Sequence, residues 1–353
     1  MRRTALVLLA AICALATAAG AGAQVVMTGL DNPRGLAWGP EGGLYVAEAG
    51  SGGTQPCFVV QRGPFAVPTF AGSTGAVSRL WHGVQERVAT GLPSYTEGAP
   101  SGVAATGPHD IAFLGRGNAR VAIGLGNDPM RRATCPGLGP MFGWLAQVPT
   151  SGNWRLDVDV AAYESTANPD GGIPPDSNPY GLLAEPGATI VAEAGGNDLL
   201  RVGANGSIST LAVFPSRSNS TRGTDSVPTS VAVGPDGAYY VGELTGFVPR
   251  EAKVWRVVPG QAPTIFQSGF TTIIDITFGA DGTLYVLEFD PGNLWRVPAN
   301  APRSLVATGF IAPGSVTIGS DGAFYVSNCG IFSRVGPGPG QCAGGGQVVR
   351  MPG

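Results

Sequence analysis

Six stretches of this chain are near copies of one another, and a repeat of that kind leaves few folds open. They are NPRGLAWGPEGGLYVAEAG from Asn32, GPHDIAFLGRGNARVAIGLG from Gly107, NPYGLLAEPGATIVAEAGG from Asn178, VPTSVAVGPDGAYYVGELTG from Val227, IIDITFGADGTLYVLEFD from Ile273 and APGSVTIGSDGAFYVSNCG from Ala312. Each reads as two short strands around a turn, and Pro-Asp-Gly, Ala-Asp-Gly or Ser-Asp-Gly supplies the positive φ that a tight β-turn requires. Tyr45, Tyr240, Tyr285 and Tyr325 recur at one place in the second strand. A third strand such as KVWRVVP, NLWRVPA or QVVRMPG follows, then a fourth such as RVATGL, TIFQSGF or LVATGF. Four strands per unit, repeating every ~40 to 75 residues, predict an all-β, six-bladed β-propeller. Its blades start near residues 33, 108, 179, 228, 273 and 313. The sixth blade lacks a fourth strand before the chain stops at Gly353, while VVMTGLDNP from Val25 matches LVATGFIAP from Leu305. Residues 25–29 are therefore expected as the outer strand of the last blade, closing the ring and covering an open edge. The competing reading is a β-sandwich with accidental similarity. A helical reading fails, because beyond the leader no apolar residues recur at i, i+3, i+4 and i+7.

The ends and the composition set the compartment. Arg2 and Arg3, the apolar run ALVLLAAICALATAA and Ala21-Gly22-Ala23 read as a signal peptide over residues 1–23, leaving 24–353 as one propeller domain, secreted or periplasmic. A twin-arginine signal and a lipoprotein anchored at Cys13 are the alternatives. Past the leader no apolar run is long enough to span a membrane. Fifty-six glycines and thirty prolines suit disorder only where a period is missing; here 43% apolar residues and regular turns argue for a turn-rich β fold. A net charge of −3 without basic clusters leaves no footprint for nucleic acid or an anionic membrane.

In a propeller the first strand of each blade lines the channel, and its start shares a face, here called the top, with the end of the second strand. The entry ring at that level reads Arg34-Gly35, His109-Asp110, Tyr180-Gly181, Thr229-Ser230, Ile274-Asp275 and Gly314-Ser315. Asp110 and Asp275 fall in one register in opposite blades. They either hold a hard cation such as Ca²⁺ on the axis or accept backbone N–H groups of their own loops. The exit ring reads Glu48, Glu193, Glu243, Glu288 and Asn328, with blade two departing at Gly124-Leu125. These residues form an acidic collar for a cation or a polyhydroxylated ligand, or cap a turn in every blade. His109 is a candidate general base or a hydrogen-bonded rim residue; His82 reads as structural or solvated.

Long insertions, Ala49–Val77, Gly126–Asn153, Ala161–Pro179 and Cys329–Gly346, all fall above the top, where loops on a rigid scaffold build binding sites. The four cysteines that remain beyond the leader lie only there. Cys57 with Cys135 and Cys329 with Cys342 are the expected disulfides, fixing the cover loops. The chain has no G-x-S-x-G elbow, P-loop, H-E-x-x-H or G-x-G-x-x-G motif, and two histidines exclude a histidine-rich metal site.

LDNPRGLAWGPEGGLYVAEAG, GPHDIAF, DSNPYGLL, AGGNDLLRV, VPTSVAVGPDG, YYVGELTGF and YVSNCGIF together resemble the ScyD/ScyE family of secreted bacterial propellers through nearly all of the mature chain. PDGxLYVAE alone also fits NHL-type and SMP-30-like propellers. The resemblance implies an exported six-bladed propeller and carries over no catalytic residue or cofactor. Two functions remain. One is a non-catalytic extracellular module whose loop-covered top takes a small molecule, a glycan or a cell-envelope or protein partner, as a monomer. The other is a metal-dependent hydrolase similar to SMP-30-type lactonases, in which Glu48 or Glu243 with Asn328 and Asp275 would surround a divalent cation.

Overall fold

The computed structural model describes residues 22–115, 117–149, 152–216, 225–336 and 338–353. Residues 1–21, the bulk of the expected leader, lie outside that set. Among the described residues the strands form six antiparallel sheets. From the inside outwards, blade one runs Pro33–Trp38, Leu44–Glu48, Phe65–Trp81 and Val84–Glu97, and blade two Pro108–Phe113, Asn118–Ile123, Trp144–Pro149 and Arg155–Asp159. Blade three runs Pro179–Glu185, Ala188–Glu193, Asp198–Gly203 and Ile208–Val213; blade four Pro228–Val233, Tyr239–Glu243, Ala252–Val257 and Thr264–Phe270. Blade five is Ile273–Phe278, Leu284–Glu288, Leu294–Val297 and Ser304–Ala307. Blade six is Ser315–Ile318, Phe324–Asn328, Gly346–Met351 and, on its outer edge, Gln24–Leu30. Each inner strand packs on the next, and Ser315–Ile318 packs back on Pro33–Trp38. The apolar faces meet between blades: Ala122 and Leu145 pack with Leu182 and Val191 between blades two and three. Met27, Tyr325 and Val348 pack with Leu36, Leu44 and Val46 where the ring joins.

The repeated polar residues hold the blade itself. Between strands one and two, Asp236, Asp281 and Asp321 accept the N–H two residues on through Oδ1, at 3.2, 3.0 and 3.1 Å, while Gly237 and Gly322 turn the chain at φ 77° and 75°. Tyr240 and Tyr325 donate their hydroxyls to Asp236 and Asp321 at 3.3 and 3.1 Å, and Arg256 and Arg350 of the third strands pair with the same carboxylates at 2.7 and 2.8 Å. The motif recurs because the turn, the second strand and the third strand share one acceptor.

Two segments above the ring depart from the sequence reading, besides Gly126–Asn153, an expected insertion that contains Trp144–Pro149, the third strand of blade two. Ala49–Val77, expected as a cover loop, is largely strand. Gln55–Arg62 pairs with Phe65–Ala71, and Thr69–Gly72 pairs with Ser94–Glu97, so blade one's outer strands rise above the top as a three-stranded wing. Phe58, Tyr95 and Phe142 pack edge to face beneath it, with centroids 5.0 to 5.8 Å apart. The second departure is an α-helix at Val160–Ala167, where none was expected. Eight residues are too few for a periodic signal; Asp159 starts the helix by accepting Ala162 N at 2.9 Å, and Asn168 ends it at φ 42°. Both expected disulfides, Cys57–Cys135 and Cys329–Cys342, are present. The first ties the wing to blade two. Among the described residues no helix is long and apolar enough to cross a membrane.

Candidate functional site

The inner strands of blades one to five begin with a proline or Ile273, and a register shift follows immediately. At this level Gly35, His109, Asp110, Tyr180, Thr229, Ile274, Asp275, Gly314 and Ser315 line a cavity of about 10 Å³. That volume is close to the minimum for one water.

Asp110 and Asp275 line this space, and their oxygens hold neighbouring blades together. Asp110 accepts Ile111 N at 2.8 Å in its own strand and Leu182 N at 2.7 Å in blade three. Asp275 accepts Ile276 N at 2.8 Å, and its other oxygen takes Val316 N at 2.8 Å and the Ser315 hydroxyl at 2.6 Å in blade six. The Ser315 hydroxyl in turn accepts Leu36 N of blade one at 3.2 Å. A Cβ at Gly35 would stand 1.8 Å from Asp110 Oδ1, so the register residue of blade one must be glycine for Asp110 to reach this place. Burial, then the charge of Asp275, drives the Asp110 carboxyl well above its ordinary value. Burial pushes Asp275 up to about 6 against three hydrogen bonds that favour its ionised form.

The rest of the entry ring follows the same plan. Arg34 is buried, with Nη2 donating to Ala105 O at 2.9 Å and Nε without a partner. Thr229 donates to Ile273 O of blade five at 2.8 Å. The His109 ring lies against Tyr180, centroids 4.5 Å apart, with Nδ1 3.3 Å from Pro179 O. Burial, then the Arg34 charge, lowers its pKa to about 3, so the imidazole is neutral. Blade two departs from the exit pattern at Gly124 because His109 fills that space: a Cβ there would be 2.1 Å from His109 Cε1.

The exit ring is buried rather than a collar open to solvent. Glu48, Glu193, Glu243, Glu288 and Asn328 are at most 4% exposed. Glu48, Glu288 and Asn328 accept the N–H of Asp31, Thr271 and Ile311, at 2.6, 2.7 and 2.7 Å, latching each second strand to the chain entering its blade. Glu193 accepts the Ser177 hydroxyl at 2.7 Å, Gly196 N at 2.5 Å and Asn178 N. Glu243 takes the Ser226 hydroxyl at 2.6 Å, and Trp255 and Trp295 donate their indole N–H to Glu243 and Glu288 at 2.7 Å each. In blade one the latch becomes an ion-pair network: Arg87 spans Glu48 and Asp31, 2.5 and 3.0 Å, and Arg334 of the blade-six loop joins Asp31 at 2.9 Å. Sequence reasoning missed Asp31, Arg87 and Arg334, which recur in no other blade. Among the described residues no three His, Cys, Asp or Glu side chains are grouped so that they could hold a metal ion.

Above this level the surface changes character. The wing, the insertion of blade two, the loop before blade three, the blade-four loop and the blade-six loop each carry a large apolar side chain in solvent: Phe65 (70% exposed), Met130 (70%), Ile173 (95%), Phe247 (55%) and Val335 (76%).

No protein-family model matches the chain, and no curated protein matches it. Among solved structures it is similar to a luciferin-regenerating enzyme, with a TM-score of 0.56 and 12% identity over 94% of this chain and 95% of that one. It is similar to a putative gluconolactonase, TM-score 0.54 and 10% identity over 94% and 91%. It is also similar to the PQQ-bound form of an aldose sugar dehydrogenase from Streptomyces coelicolor, TM-score 0.53 and 14% identity over 95% and 99%. At these identities the likeness is one of fold, a β-propeller.

Proposed function

We propose that this protein is an exported, non-catalytic binding module of the ScyD/ScyE type, which uses its top face to hold a glycan or protein partner of the cell envelope. The observation that carries this reading is the five exposed apolar side chains, Phe65, Met130, Ile173, Phe247 and Val335, one on each of the four insertions above the ring and one on the blade-four loop. Exposed apolar groups gathered on one face mark interaction surfaces. Two disulfides and the absence, among the described residues, of a membrane-crossing helix are compatible with export.

The alternative, a lactonase-like hydrolase with a divalent cation on the axis, would have to draw Asp110 and Asp275 away from five main-chain and hydroxyl donors. Two assays separate the readings. Purified cell-envelope glycan should sediment the parent but not a variant with all five apolar residues changed to serine. A lactone and ester panel with Ca²⁺, Mg²⁺, Mn²⁺ or Zn²⁺ should show no turnover. Turnover that disappears in Asp110→Asn with Asp275→Asn would overturn the proposal.

A further inference from the structure

Blade three contains a group of carboxylates that the latches do not account for. Glu193 and Asp198 face each other directly across the hairpin between the second and third strands, an arrangement that like charges disfavour. The helix Val160–Ala167 brings Glu164 onto the same turn: a Cβ at Gly196 would be 2.5 Å from Glu164 Oε2, and Gly196 N donates to Glu193 Oε2 at 2.5 Å. Asp170 reaches the turn as well, accepting Asn197 Nδ2 at 2.9 Å. Glu193 and Asp170 have their hydrogen-bond donors; Asp198 and Glu164 Oε1 do not. Asp198 is fully buried, and neither of its oxygens has a partner, nor does Glu164 Oε1. Buried carboxylate oxygens left bare cost several kcal/mol unless neutralised. Burial, and next the charges of neighbouring carboxylates, push Glu164 and Asp198 far up, with no basic side chain among the described residues offsetting them.

We propose that the Glu164–Asp198 cluster is a binding site for a divalent, oxygen-seeking cation of the Ca²⁺ class, buried between the helix and the blade-three hairpin and separate from the axis. Asp198 Oδ1 and Oδ2 and Glu164 Oε1 are the free donors, and Glu193 remains committed to its latch. Main-chain carbonyls and water complete the shell, since Ca²⁺ takes 6 to 8 oxygens of mixed kinds. Half-exposed Asp170 stands on the approach from solvent. Bound there, the ion would tie the insertion between blades two and three to the blade beneath it. This assignment does not depend on the proposed binding role.

The test is the melting curve and calorimetric titration of chelator-treated full-length protein with Ca²⁺, Mg²⁺ and Mn²⁺ in turn. Ca²⁺ should bind at one site and raise Tm by a few degrees. Asp198→Asn should remove both effects while melting, without metal, no lower than the parent, because a neutral amide of the same shape replaces a carboxyl that burial already keeps neutral. Asp110→Asn with Asp275→Asn should leave the response intact. No binding by any of the three ions overturns the proposal, as does a response that survives Asp198→Asn or vanishes in the axial variant.

Discussion

Asp275 shows how one side chain serves the whole ring. It satisfies donors from blades five and six and, through Ser315, extends to blade one. Asp275→Ala would leave two buried N–H groups unpaired, at about 1–3 kcal/mol each, and urea unfolding should register a loss of that order. The pH dependence has a definite sign. Because the folded pKa of Asp275 is raised from 3.8 to about 6, its contribution is complete below about pH 4 and is lost as pH rises through 6. His109 runs the other way: lowered from 6.5 to about 3, it contributes above about pH 6.5 and loses that contribution as pH falls through 3. Unfolding between pH 3 and 8 should therefore show Asp275→Asn gaining on the parent from pH 4 to 6.5, and His109→Gln losing ground to it from pH 3 to 6.5. At this scale the sequence located the polar rings but left two readings for each residue. A carboxylate on an axis looks the same in a string whether it binds an ion or a neighbouring strand's N–H, and only the positions of Leu182 and Val316 distinguish them. Asp198 was illegible altogether, because its meaning lies in Glu164 arriving from a helix that no periodicity announced.

Among the elements, the outer edge of blade six is the one whose removal says most. Gln24–Leu30 lies along Gly346–Met351 and buries Met27 and Leu30 where the ring joins. Deleting residues 24–30 exposes a strand edge and those apolar contacts. Calorimetry should show a fall in Tm of ten degrees or more, on the order of several kcal/mol, and light scattering should show self-association. The wing behaves differently. Opening Cys57–Cys135 with paired serine substitutions should cost about 2–4 kcal/mol at most, and limited proteolysis should then cut within residues 49–75 while the ring stays intact. The match of Val25 and its neighbours to Leu305 made the closing strand readable in advance. The wing was not, since its strands belong to no repeat and their pairing is specified by contacts with Phe142 and Cys135 in another blade.

For the whole molecule, the repeated polar residues of the ring are occupied in holding it together, and the proposed binding role falls to the non-repeated residues of the top face. Repetition made the ring legible, and the proposed binding surface lies where repetition stops. The most direct measurement is co-sedimentation with purified cell-envelope glycan, comparing three proteins matched for folding. These are the parent, the five-site variant Phe65→Ser, Met130→Ser, Ile173→Ser, Phe247→Ser, Val335→Ser, and the axial variant Asp110→Asn, Asp275→Asn. The parent and the axial variant should sediment together with the glycan, and the five-site variant should stay in solution. A parent that does not bind, or a loss of binding confined to the axial variant, would contradict the proposed binding role.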